Sequence, residues 1–365
     1  QNRYKLIGNE WVIYLKGDGT VDRASYLTDG GEMITPLSAG RYVVGAEIGS
    51  DHCDARIALL GKDENTLWNK VVRLNGVDCG SGFNLTAGDN SIYEQHSRVP
   101  GYSSWFVKLD DQGDLAWSKL VGQGWVDGPF AMTTTEDGGL IFTAARSGAT
   151  HPVIIAELNS TGKLVQAMEI WPSSGTVYYM PWAIDRTPAG ETILTGSNSD
   201  YQVWAVKLDK EWKIIWQKQY TLPSEGHLYT AKAARDGGII LQSIRDIVKI
   251  LADGSVAWAR SYGHQTQGIY LNDVREAGDG SVLVAASLQG ASSHYPLSMK
   301  LGPDGQVANC DLIRNETVGS AELDLITLPA TVPMQDINSE IQTLDPGYTG
   351  TIEAGNNVLC KAGTY

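Results

Sequence analysis

An all-β fold, a ring of seven antiparallel four-stranded blades, is the class that three features of this sequence predict. A strand–turn–strand motif recurs along the 365 residues, Asp-Gly turns separate runs of alternating polarity, and no stretch carries the apolar period of a helix. Composition agrees: 41 Gly, 11 Trp and 16 Tyr against only 4 Phe fit many short strands joined by tight glycine turns.

The motif is clearest where Ser104-Trp-Phe-Val-Lys-Leu-Asp-Asp-Gln-Gly-Asp-Leu-Ala-Trp117 aligns with Val203-Trp-Ala-Val-Lys-Leu-Asp-Lys-Glu-Trp-Lys-Ile-Ile-Trp216. Ile247 to Trp258 and Leu297 to Asn309 are further copies, and weaker ones run from Trp11 to Arg23, Arg56 to Trp68 and Val153 to Gln166. Equivalent positions Arg23, Trp68, Trp117, Gln166, Trp216, Trp258 and Asn309 recur every 42 to 51 residues. Each copy is a hairpin, because Asp and Gly tolerate the backbone angles of a two-residue turn. A second hairpin lies between successive copies, seen at Ala131 to Ala145 and Ala231 to Ser243, with the same turn at Pro188-Ala-Gly190 and Asp279-Gly280.

Two hairpins per repeat give the four strands of one blade of a β-propeller, and a single blade cannot bury its own faces, so neighbours must stack. Seven hairpins of the first kind and six of the second leave inner strands to be supplied by the termini. Tyr4 to Ile7 and an alternating stretch such as Leu323 to Leu328 are the expected closing segments, which favours seven blades over six or eight. The chain then divides into a propeller over residues 1–311 and a tail over 312–365 that carries a closing strand and is anchored by a disulfide.

The pattern W-x-V-K-L-D-x-x-G-x-x-x-W-x-K followed by D-G-G and three apolar residues resembles secreted bacterial and archaeal propellers with Asp-Gly-rich repeats. The ending is similar too: Lys300-Leu-Gly-Pro-Asp-Gly305 runs into Cys310, a Thr-rich tail and Cys360. The resemblance covers most of the chain and implies the fold, with no particular activity attached.

A formal net charge of −14 repels phosphate backbones and anionic lipid, which disfavours nucleic acid as a partner. No apolar run approaches the ~20 residues that span a bilayer as a helix, so membrane insertion is not expected. Gln1 reads as the start of a processed chain. Four cysteines, Cys53, Cys79, Cys310 and Cys360, show no metal spacing and suggest two disulfides and an oxidising exterior. Three pairings are open; the strand parity below favours Cys53–Cys79 and Cys310–Cys360. Asn84, Asn159 and Asn315 head N-x-Thr sequons compatible with glycosylation.

In an up-down blade, turns within hairpins share one rim and the connecting loops share the other. The turn rim collects the Asp-Gly pairs. The loop rim collects His52, His96, His151, His227, His264 and His294, with Trp125, Trp171, Tyr102, Tyr179, Tyr201 and Tyr295, and also Cys53 and Cys79. Of these, His52, Trp125, His151, Trp171, Tyr179, His227, His264 and His294 form the candidate binding rim, since loops on a rigid scaffold commonly carry recognition. The histidines come from different blades, which argues against a metal site. Calcium is conceivable only near Asp110, Asp111 and Asp114, whose spacing departs from a calcium loop. No other cofactor is expected, and the repeated tryptophans read as packing between blades. No G-x-S-x-G elbow is present.

These features point to a non-catalytic extracellular structural propeller at the cell surface, a subunit of a surface layer or filament joined by terminal strand addition. Its partners would be further copies or another extracellular protein or glycan. The alternatives are a monomeric module binding glycan or protein at the candidate rim, and a glycan-active enzyme.

Overall fold

The computed structural model describes residues 4–8, 11–15, 21–27, 33–48, 54–63, 65–74, 83–88, 91–97, 104–122, 127–145, 152–173, 179–223, 228–263, 268–289, 294–307, 310–344 and 349–352. Among them the chain is an all-β propeller of antiparallel sheets, with one three-residue 3-10 turn, Ser38–Gly40, and no α-helix.

Five sheets hold a full set of four consecutive strands, written here from the inner to the outer edge. Sheet II is Met33–Pro36, Tyr42–Ile48, Asp54–Leu60 and Thr66–Arg73; sheet III is Phe83–Gly88, Ser91–Ser97, Ser104–Leu109 and Leu115–Val121. Sheet IV is Asp127–Thr134, Leu140–Ala145, Val153–Leu158 and Leu164–Pro172. Sheet V is Tyr179–Arg186, Thr192–Asn198, Val203–Leu208 and Ile214–Thr221, and sheet VI is Leu228–Ala233, Ile239–Ser243, Asp246–Ile250 and Val256–Tyr262. Among the described residues two sheets show three such strands: sheet I has Tyr4–Gly8, Trp11–Leu15 and Val21–Leu27, and sheet VII has Ile269–Glu276, Val282–Gln289 and His294–Leu301.

Side-chain alternation turns each sheet into a two-sided wedge. In the second strand of sheet III, Ile92 packs toward sheet II with Val43, Ile57 and Val72, whereas Tyr93 packs toward sheet IV with Leu140 and Phe142. The same alternation builds separate cores between sheets IV and V, V and VI, and VI and VII. The core is therefore a set of slabs between blades, each made by two neighbours and by neither alone.

The repeated tryptophan is the staple of those slabs. Trp68, Trp117, Trp216 and Trp258 lie in outer strands and donate their indole N–H to a carbonyl in the turn of the next sheet: Asp111 O at 2.9 Å, Ser160 O at 3.2 Å, Ala252 O at 2.9 Å and Pro303 O at 2.9 Å. Each ring lies under the glycine of that turn. A Cβ on Gly113, Gly162, Gly254 or Gly305 would meet the ring at 2.9, 2.9, 3.1 or 2.6 Å, and all four glycines have φ near +80°. Tyr220 and Tyr262 add a hydroxyl bond to Gly254 O and Gly305 O, each at 2.8 Å.

The junction of sheets IV and V departs from the pattern in both halves at once. Sheet IV carries Gln166 where sheets II, III, V and VI carry Trp, and the facing turn of sheet V carries Trp212 where sheets III, IV, VI and VII carry Gly. Trp212 accepts φ of +60° and is 6% exposed, packed in the core between sheets IV and V. The space beside the turn is filled from the opposite side.

The tail corrects the closure expected from sequence. Its strands Ile313–Asn315, Gly319–Glu322, Leu325–Pro329, Met334–Asp336, Glu340–Thr343 and Thr349–Ile352 pair antiparallel with the outer strands of sheets VI, V, IV, III, II and I, in that order. The stretch Leu323 to Leu328 is thus no inner closing strand. Its residues join the outer edge of sheet IV, with Trp171 opposite Ile326, because that edge offers a row of free backbone groups. The tail runs backward around the perimeter as a belt, held by Leu323, Leu325 and Val332, which are buried against the blades. Tyr4–Gly8 pairs with Trp11–Leu15 and comes against Val282–Gln289 of sheet VII, so the first and last sheets are neighbours.

Candidate functional site

The candidate rim is not assembled into one site among the described residues. Trp171 ends the outer strand of sheet IV, half-buried, with its indole N–H donated to Glu169 Oε2 at 3.0 Å. Tyr179 begins the inner strand of sheet V and is buried, its ring edge-on to Trp204 at 5.8 Å; burial, aided by the charge of Asp200, pushes its hydroxyl pKa up. These two side chains occupy opposite radial ends of adjoining sheets. His294 opens the third strand of sheet VII, and His52, Trp125, His151, His227 and His264 lie outside the described residues, as do Cys53, Cys79 and Cys360. Cys310 is disulfide-bonded.

His96 overturns its assignment to an exposed loop. It sits in the second strand of sheet III, fully buried, stacked on Trp105 at 4.9 Å with 26° between ring planes. Its Nε2 lies 2.6 Å from Oε1 of Glu94, which is also fully buried and whose Oε2 has no partner. Burial pushes the Glu94 carboxyl up, against the lowering effect of His96, and Asp54 adds to the rise. Turn-to-turn alignment places Phe142, Leu194 and Leu241 at the position of Glu94. A polar pair thus replaces the apolar filling of this slab. The signal was in the sequence, as polar residues at inward positions of a strand.

On the turn rim, the first hairpins of sheets III, IV and V surround a concavity of about 730 Å³ lined by Ser91, Lys108, Glu136, Asp137, Ser160 and Arg186. Lys108 Nζ is spent on Gly138 O and Ser160 O at 2.8 and 2.9 Å, which also straps sheet III to sheet IV. Asp137 is held below the usual carboxylate range, chiefly by the Thr135 hydroxyl that donates to it at 2.5 Å. Arg186 directs one terminal nitrogen to Gly190 O at 3.2 Å, and its buried Nε has no acceptor. Two cations, two carboxylates and hydroxyls form a charge-balanced polar surface, and the lysine's ties to backbone carbonyls make it a strap.

The turn carboxylates have structural duties. Asp110 Oδ1 accepts from the backbone N–H of Gln112 and Asp114, each at 2.9 Å, and Asp114 pairs with Lys70 at 3.4 Å. Among the described residues no three His, Cys, Asp or Glu side chains gather in a metal-binding group. Asn84 lies in the inner strand of sheet III, where its amide donates to buried Gln95 at 2.7 Å; Asn159 caps its own turn, and Asn315 is exposed on the belt.

No family model and no curated protein matches this chain. Solved structures resemble it at low identity. A protein of unknown function from Bacteroides caccae aligns with a TM-score of 0.49 and 13% identity over 76% of this chain and 94% of that one. The Pan2 WD40 domain of Neurospora crassa aligns with a TM-score of 0.44 and 11% identity, over 79% of this chain and 85% of the other.

Proposed function

We propose that this chain is a non-catalytic structural propeller of the cell exterior, with seven blades, that packs with copies of itself into a surface layer or filament. The belt carries this reading. A tail of some forty described residues is spent on bracing the outer edges of six sheets, which reinforces a ring and adds no chemistry to either rim. Each belt strand presents a backbone edge outward, and on Leu325–Pro329 the side chains of Ile326 and Leu328 are each 47% exposed. An added strand from a neighbouring copy would join there through main-chain hydrogen bonds. The disulfide at Cys310 supports an oxidising compartment.

Electron microscopy of the protein in its native material tests the proposal. Repeating rings of seven blades in contact through their perimeters are expected. Dispersed single rings at high protein concentration would contradict it.

A further inference from the structure

The belt keeps one step from blade to blade. Two residues past the repeated Trp or Gln of each outer strand, sheets VI, V, IV, III and II carry Arg260, Lys218, Met168, Lys119 and Lys70. Their partners across the ladder are Asn315, Glu322, Pro329, Asp336 and Thr343, each seven residues beyond the last. A backbone bond repeats with them. Glu316, Leu323, Ala330, Ile337 and Leu344 donate their N–H to the carbonyls of Ala259, Gln217, Ala167, Ser118 and Asn69, in that order, at 2.9 to 3.2 Å. On sheet I the partner of Ser25 is Thr351, one residue beyond the same step. Burial follows the step too: Thr317, Asp324, Thr331 and Asn338 are exposed, whereas Val318, Leu325, Val332 and Ser339, one residue on, are buried or half-buried. Residue types hardly recur at this spacing, so it shows in the pairing and not in the letters. Seven residues of extended chain reach at most about 25 Å, and equally spaced blades call for equal lengths.

A common step makes the outer edges interchangeable for the backbone. Sliding the belt by one repeat would bring its N–H groups to equivalent carbonyls on the neighbouring sheets. Side chains tell the registers apart. In the observed one, Glu322 lies 3.7 Å from Lys218 and Asp336 pairs with Lys119, while Met168 of the sheet between them faces Pro329. Slid one sheet back, Glu322 would meet Arg260 but Asp336 would face Met168. Slid one sheet on, Asp336 would meet Lys70 but Glu322 would face Met168. Only the observed register gives both carboxylates a cation. Opposite charges across an antiparallel pair stabilise it, and short polar strands have little else to fix their register.

We propose that the outer edges of sheets VI to II are equivalent docking sites for a seven-residue extended repeat, which this chain's own tail supplies as Glu316–Glu322, Leu323–Pro329, Ala330–Asp336 and Ile337–Thr343. The residue that comes to lie opposite Lys218, Met168 or Lys119 determines which repeat each sheet takes. The ring thus selects its belt by chain length first and by charge second. These contacts lie within one chain, so they stand or fall apart from the assembly of rings into a layer or filament.

Hydrogen exchange on variants of the whole chain tests both halves of the proposal. Gly122 N–H, at the end of the outer strand of sheet III, donates to Pro333 O at 2.8 Å. Deleting the repeat Ala330–Asp336 brings Glu340 O into the place of Pro333 O, so the Gly122 amide is expected to exchange within about threefold of its parent rate. Faster exchange than that would mean that the following repeat does not take the site, and would overturn the equivalence. Asp336→Lys sets like charges across the ladder and should speed exchange of the Ile337 amide at least about threefold; adding Lys119→Glu should return it to within about twofold of the parent. An unchanged rate in the single variant, or no recovery in the double one, would overturn the role of charge. The point variants keep the tail's length, so they report on the sites if the shortened chain fails to fold.

Discussion

The staple between blades is a contact between one ring and one backbone position. Gly254 combines φ of +82° with a Trp216 ring at 3.1 Å from any added Cβ. Gly254→Ala therefore adds left-handed strain of ~1–2 kcal/mol to a steric clash, and a loss of about 2–3 kcal/mol is expected in urea unfolding. Gly280→Ala is the control, because φ of +79° brings the same strain while its nearest neighbour, Pro303, stands at 3.8 Å. Equal losses at the two glycines would show that the ring contributes nothing to the cost. The exchange of Gln166 and Trp212 at one junction is the chain's own version of this experiment, since filling from either side preserves the slab. The Trp and Gly positions were legible from their repeat. Their partnership was not, because each Trp meets the Gly of the following repeat and not its own.

Strands and turns of the blades were legible because the information is local: alternation marks the strand, and Asp-Gly marks the turn. The belt was not. Its strands are three to five residues long, too short for a period, and their partners lie as far away in sequence as Ala24 and Ile352. His96 was misread for a related reason: a polar residue in a strand counts as loop until the neighbouring sheet is seen. Belt strands should open independently of the blades, since few of their side chains are buried. Leu325, 7% exposed and packed between sheets IV and V, is an anchor, whereas Ile326 beside it faces out. Leu325→Ala is expected to cost about 2 kcal/mol and to bring proteolytic cuts into residues 319–336, with Ile326→Ala near neutral. Similar cutting in both variants would mean that the belt is held by its backbone ladder alone.

At the scale of the molecule, the ring is stabilised by two systems that run in opposite directions. Trp, Tyr and Lys side chains reach forward from sheets II, III, V and VI to the sheet that follows, and the tail returns backward across every outer edge it meets. The loops expected to carry recognition lie largely outside the described residues, and of the candidate rim only Trp171, Tyr179 and His294 fall within them. The central claim is the reversed order of the belt, and its salt bridges report that order. Lys218 pairs with Glu322 at 3.7 Å on sheet V, and Lys119 pairs with Asp336 on sheet III. Zero-length carbodiimide cross-linking of the unmodified protein, read by mass spectrometry, should join Lys218 to Glu322 and Lys119 to Asp336. Links of Lys119 to Glu322 and Lys218 to Asp336 within one chain would place the tail in forward order and contradict the account.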